Sequence, residues 1–167
     1  MKTIVPEFSR PLLVARIPGG GAYEKLEASP TECSALAKRL DIPALHGLKA
    51  ELKAKPWRGG GLKVSGELNA DLDQVSVVSL EIFRSVVTVA VERYFLVTVP
   101  ADADDAEDVD PIVNGIVDLG EVVAESLALE LDPYPRKVGE NFASGDEVDE
   151  TVQRGAFAGL KVIKSRD

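Results

Sequence analysis

Few residues in this chain are equipped for bond-making chemistry. His46 is the only histidine and Cys33 the only cysteine among 167 residues. A Ser-His-Asp arrangement needs an imidazole base oriented by a carboxylate, and no partner motif surrounds His46. A surface or capping role suits it better. Cys33 falls on the apolar side of a helical pattern, where a free thiol acts as a small buried hydrophobe. One cysteine excludes a disulfide within the chain and a cysteine-based zinc cluster. With imidazole and thiolate ligands nearly absent, most transition-metal sites go too. Asp102, Asp104, Asp105, Glu107, Asp108 and Asp110 crowd together and invite a hard cation. The glycine that a calcium loop requires at its sixth position is missing, however, so residues 101–111 read as a solvated acidic loop held open by repulsion. Gly19-Gly20-Gly21 is not followed by Gly-Lys-Ser/Thr and reads as a turn rather than a phosphate cradle. Glu81 stands in a valine-rich stretch. Facing inward it would have to be paired or protonated, with Arg84 or Arg93 as partners in a structural ion pair. No dinucleotide, zinc or kinase motif is present. These residues predict no enzyme, no cofactor, no metal and no small-molecule substrate. A metal-dependent enzyme built on the acidic loop is the catalytic alternative, open to test by elemental analysis.

Two groups are suited to binding instead. Lys49, Lys53 and Lys55 alternate with Leu48, Ala50, Leu52 and Ala54, and Trp57 and Arg58 follow at once. That pattern is a half-exposed strand with a basic outer face, and an aromatic beside cations can stack a nucleic-acid base. A lone tryptophan is also an ordinary packing residue. The second group is Pro133, Tyr134, Pro135 and Arg136. Its prolines hold an extended shape in advance, and Tyr and Arg are frequent interface anchors. The competing explanation is that Tyr134 and Arg136 pack and cap the end of a helix. Net charge is −9, which argues against a general nucleic-acid binder. The charge is uneven: residues 1–65 carry 11 Lys/Arg against 6 Asp/Glu, and residues 66–167 carry 8 against 22. A basic part could meet RNA phosphate while the acidic part faces a basic protein.

The elements that must position these residues are legible from period and punctuation. Asp118 is a good N-cap, Glu121 completes a capping-box-like pair, and Leu119, Val122, Val123, Leu127 and Leu131 share one helical face. Ala124, Ala128 and Leu129 widen it. Asp132-Pro133 ends the helix, which spans 119–131. Ser29-Pro30-Thr31-Glu32 starts another over Pro30–Leu40, with Cys33, Leu36, Ala37 and Leu40 on its apolar face. Short strands are expected at 11–17 and 22–28. A long strand follows from Leu48, and another over 62–72 bends at Gly66. Residues 75–83 are apolar on both sides and read as a strand buried in mid-sheet, and 85–99 as a further strand. Long strands joined by short turns make an antiparallel meander. The fold class is α+β: a curved, mainly antiparallel sheet, with barrel-like closure left open, packed by two helices. Residues 1–138 form one domain. Residues 139–167 read as a mostly flexible tail whose apolar segment 156–163 can dock. No run approaches the roughly 20 apolar residues of a membrane span, and the opening residues carry no leader pattern, so a soluble cytoplasmic protein is expected.

Residues 116–136, IVDLGEVVAESLALELDPYPR, resemble the signature of the YceD family, the bacterial large ribosomal RNA subunit accumulation proteins. Residues 74–82, QVSVVSLEI, resemble a second family segment. There the family often has a cysteine followed by Val-Val-Thr-Leu-Glu-Pro; this chain has Ser76, Val77, Val78, Ser79, Leu80, Glu81 and Ile82. Any metal role suspected for family cysteines therefore does not transfer. The resemblance implies a non-enzymatic factor supporting synthesis, processing or accumulation of large-subunit (23S) ribosomal RNA. Its partner would be a ribosomal or ribosome-assembly protein bound through Pro133, Tyr134, Pro135 and Arg136, or ribosomal RNA itself through Lys49, Lys53, Lys55, Trp57 and Arg58.

Overall fold

Five strands in the order β2-β3-β4-β5-β6 make the main sheet, and β1 and β7 pair in a small ribbon beside it. In chain order the elements of this computed structural model are β1 Pro11–Leu13, β2 Ala22–Glu27, α1 Pro30–Leu40, β3 Ala44–Trp57, β4 Gly61–Val75, β5 Ile82–Leu96, β6 Val109–Pro111, β7 Ile116–Asp118 and α2 Leu119–Glu130. The structure describes residues 5–99 and 109–140. Residues 1–137 form one compact unit, and 138–167 fall in a second, of which only 138–140 are described. Residues 141–167 of the tail, with the apolar segment 156–163, thus lie outside the described residues, as do residues 101–108 of the acidic loop. The end of that loop, Val109–Pro111, is a strand: β6 runs parallel to β5, with Tyr94, Phe95 and Leu96 opposite Val109, Asp110 and Pro111.

The architecture is α+β with an open sheet. β2, β3, β4 and β5 form the expected antiparallel meander. Period-two alternation decides its faces. Leu48, Ala50, Leu52 and Ala54 of β3 are buried, as are Leu62, Val64, Leu68, Ala70 and Leu72 of β4 and Val89, Val91 and Phe95 of β5. The helices cover this side, contributing Cys33, Leu36 and Ala37 from α1 and Leu119, Val122, Val123, Ala124 and Leu127 from α2 to the same core. Gly66 interrupts the row because β3 comes too close there for any side chain. An added Cβ would lie 2.0 Å from the Glu51 carbonyl oxygen.

The two helices differ in how well their ends were legible. In α1, Ser29 Oγ accepts from the Glu32 backbone N–H at 3.3 Å, and Glu32 Oε2 accepts from the Ser29 N–H at 2.8 Å, the expected capping box. In α2, Asp118 caps as expected, accepting from Gly120 N–H at 2.9 Å and Glu121 N–H at 3.3 Å. Glu121 turns instead to Arg39, at 2.5 and 3.0 Å. Ala124 joins the buried face, whereas Ala128 is exposed and Leu129 is 82% exposed. The buried side of α2 is wide, as expected, but it is made of Leu119, Gly120, Val122, Val123, Ala124 and Leu127 and leaves out Ala128 and Leu129.

A larger correction concerns residues 75–83. They are not a strand in mid-sheet. β4 ends at Val75, β5 begins at Ile82, and the residues between form the loop of a hairpin closed by the Val75–Ile82 pair. Side-chain capture explains the break. Ser76 Oγ accepts from the N–H groups of Val78 and Ser79 at 3.1 and 3.3 Å, diverting donors that a strand would give its neighbour. Ser76 N–H donates to Glu81 C=O at 2.9 Å, and Leu80 N–H donates to Ser76 C=O at 2.9 Å. Glu81 faces outward, 3.5 Å from Lys137 Nζ. Its suggested partners bind elsewhere, Arg84 to Asp71 at 2.7 Å and Arg93 to Asp110 and Glu125.

Candidate functional site

Three chain ends converge where the helices leave the sheet: the C-terminal end of α1, the 76–81 loop and the exit of α2. Arg10 and Arg39 fix the helices relative to each other. Arg10 binds Glu32 of α1 with both terminal guanidinium nitrogens, at 2.8 and 3.0 Å, while its backbone N–H donates to Asp118, the N-cap of α2, at 2.7 Å. The Arg10 hydrogen bonds, with help from the Ser29 backbone, pull the Glu32 carboxyl down to about 2. Arg39 spans Glu7 and Glu121, and the Glu121 hydrogen bond outweighs partial burial to push its pKa up. The N-terminal segment crosses α2 at Gly120, where a Cβ would sit 2.3 Å from the Phe8 carbonyl oxygen. The Arg10–Glu32 and Arg39–Glu121 pairs are bidentate and charge-assisted, the strong kind of hydrogen bond.

The result is a groove of about 610 Å³. Leu40, Ile42 and Pro43 form one wall, Val77 and Leu80 a second, and Ala128, Leu131, Pro133 and Pro135 the third. Val77 N–H donates to Pro135 C=O at 2.9 Å and fastens the loop to the exit segment. Tyr134 N–H donates to Asp132 Oδ1 at 2.8 Å, a local turn that sets the direction of the exit. Leu80 is the strained member. It is not a glycine, yet its φ is +60°, and its side chain is 77% exposed. A left-handed residue with a γ-branched apolar side chain held out to solvent costs about 1–3 kcal/mol, and such strain clusters at functional sites. Asp41 and Asp132 line the groove with no ion-pair partner among the described residues.

The groove thus brings together the two segments noted in the sequence, 74–82 and the end of 116–136. Of the four exit residues, Pro133 and Pro135 form wall, while Tyr134 is 69% exposed and Arg136 is exposed beside it. Sequence reasoning missed Val77, Leu80, Leu40 and Ile42. The available signal was the pair Ser76 and Ser79 flanking two valines, since hydroxyls at that spacing favour a turn over a strand.

The basic strand is elsewhere, on the sheet face turned away from the helices. Lys49, Lys53 and Lys55 point outward as expected, but they do not act alike. Lys49 Nζ is 3.2 Å from Glu27. Lys53 lies over the ring of Tyr23 at 4.8 Å, and Arg58 over the ring of Trp57 at 4.4 Å. Trp57 is half-buried and packs against Tyr94, centroids 4.8 Å apart. Packing and presentation of the indole therefore coexist.

The remaining reactive residues are quiet. Cys33 is buried, and burial pushes its thiol pKa up, away from a thiolate. His46 Nε2 lies 3.0 Å from Asp73 Oδ1 at the surface. Among the described residues no three His, Cys, Asp or Glu side chains are placed to hold a metal ion, and no helix is long and apolar enough to cross a membrane. Comparisons of the chain with protein-family models, with curated proteins and with solved structures return no match.

Proposed function

We propose that this protein is a non-enzymatic, cytoplasmic factor that supports synthesis, processing or accumulation of large-subunit ribosomal RNA. It acts as an adaptor that seats a ribosomal or ribosome-assembly protein in the groove at the α2 exit. The observation that supports this reading most is the hydrogen bond from Val77 N–H to Pro135 C=O. It joins the two family-like segments, far apart in sequence, into one surface. A groove walled by Leu40, Ile42, Leu80 and Pro133 takes apolar side chains, while Tyr134 and Arg136 stand exposed at the exit as anchors. Asp41 and Asp132 favour a partner segment that pairs apolar residues with cations, as expected of a ribosomal protein.

The test replaces Tyr134 and Arg136 together with alanine. Both side chains are exposed, so thermal stability should stay within about 0.5 kcal/mol of the native chain. Association with large-subunit precursor particles in a sedimentation gradient should fall about tenfold or more. A large drop in melting temperature would assign the two residues to the helix end instead. Unchanged co-sedimentation with intact stability would remove them from the interface.

A further inference from the structure

The outward face of the sheet has two chemically different ends. At the end near α1, cations are neutralised by acids on the neighbouring strand: Lys25 by Glu51 at 2.9 Å, Lys49 by Glu27 at 3.2 Å and Arg84 by Asp71 at 2.7 Å. At the β3–β4 turn the same face gathers the sole tryptophan and two of the three tyrosines of the chain, each ring with a cation against it. Lys53 covers Tyr23, Arg58 covers Trp57, and Lys63 covers Tyr94 at 5.1 Å. Strand register makes this one surface. Tyr23 is opposite Lys53 across β2 and β3, and Lys55 is opposite Lys63 across β3 and β4. Lys63 is in turn opposite Tyr94 across β4 and β5. Two lysines directly opposed in a ladder destabilise it, and of the two only Lys63 has an acid beside it among the described residues. Among the described residues the acid at this end is Glu92, which takes Tyr94 Oη–H at 2.6 Å and lies 3.5 Å from Lys63.

We propose that this end of the sheet is a binding site for single-stranded nucleic acid. Bases stack on the Trp57–Tyr94 pair and on Tyr23, and Lys53, Lys55 and Lys63 take the phosphates. Stacking needs accessible ring faces on a rigid platform, and cations need to track a backbone beside them. The paired strands supply the platform, and Tyr23, 77% exposed, supplies the most open ring. A duplex suits the surface poorly, because its bases are already stacked. The acidity of the whole chain restricts the interaction to this local patch and makes it sensitive to salt.

Trp57 is the only tryptophan, so its fluorescence reports on the site directly. The full chain is titrated at low salt with short oligouridylate, oligothymidylate and a blunt duplex. The expected result is quenching of Trp57 by single strands and little by duplex. Affinity should fall with a log–log salt slope of about −2, as three cations at about −0.7 each would give. Quenching by both single strands assigns recognition to stacking and charge; quenching by oligouridylate alone adds the 2′-hydroxyl to it. Tyr23→Ala, which removes an exposed ring without touching the core, should weaken binding about tenfold. Lys55→Glu with Lys63→Glu should abolish it. No quenching by either single strand, equal quenching by the duplex, or Tyr23→Ala binding like the native chain would each overturn the proposal.

Discussion

The groove and the open face of the sheet are built in opposite ways. The groove is assembled from three chain ends, with one main-chain bond between the 76–81 loop and the α2 exit and a strained residue, Leu80, at its lip. The open face is carried by the long paired strands β3, β4 and β5, whose rows of outward side chains are set by register. The difference teaches what each can recognise. A surface made of ends can adjust by small shifts, which suits an irregular protein partner. A surface made of ladders cannot adjust, but it holds rings and cations at fixed spacing, which suits stacked bases and a phosphate chain. The two share one core beneath them and little else.

Breaking that core should abolish the contrast altogether. Gly66→Ala places a methyl group 2.0 Å from the Glu51 carbonyl oxygen. It should lower stability by about 3 kcal/mol, read from the urea midpoint, and both surfaces should fail together. A shift under about 1 kcal/mol would mean that β3 and β4 move apart easily, and that the open face is less rigid than argued.

A smaller change separates the surfaces. Leu80→Gly removes the left-handed strain and should raise stability by about 1 kcal/mol. Because the lost side chain projects from the groove lip, the same variant should weaken association with the protein partner while leaving Trp57 fluorescence titrations unchanged. Unchanged partner association would make Leu80 a structural feature of the hairpin and detach the strain from function.

A pH dependence is also expected from the helix side. Arg10 holds the Glu32 carboxyl at about 2, below its ordinary 4.5. A depressed carboxylate stabilises the fold above its unfolded pKa. That contribution should be full above about pH 5 and fade as pH falls toward 2. Urea midpoints across this range should show the loss, and Glu32→Gln should be less stable at neutral pH and flatter below it. A native-like acid slope in Glu32→Gln would assign the dependence to other carboxylates.

Much of the fold was written in local pattern. The α1 capping box, the Asp118 cap and the β3 alternation each depend on residues a few positions apart, and each is found as read; the bend expected at Gly66 is not, since β4 runs through it without a register shift against either neighbour. The failures came where one local signal overrode another. Valine-rich composition predicted a strand at 75–83, but the Ser76 hydroxyl captured the donors that strand would have used. Leu129 fits the apolar composition of α2, yet which side of the helix meets the sheet is a tertiary matter. The sites were half legible for the same reason. Pro133 to Arg136 and Lys53 to Arg58 are contiguous and could be named, although Lys49 turned out neutralised by Glu27. Tyr23, Lys63 and Tyr94 join their surface only through strand register, and Val77 and Leu80 join theirs only through a hairpin that the sequence disguised.

The claim that carries the account is that the groove holds a protein. It is tested most directly by affinity capture of the tagged chain from growing cells, with and without ribonuclease, alongside the Tyr134→Ala/Arg136→Ala variant. The account predicts a defined large-subunit ribosomal or assembly protein that survives ribonuclease and is lost in the variant. Recovery only of ribosomal RNA and its bound proteins, all removed by ribonuclease and unaffected by the variant, would contradict it and leave the open face of the sheet as the working surface.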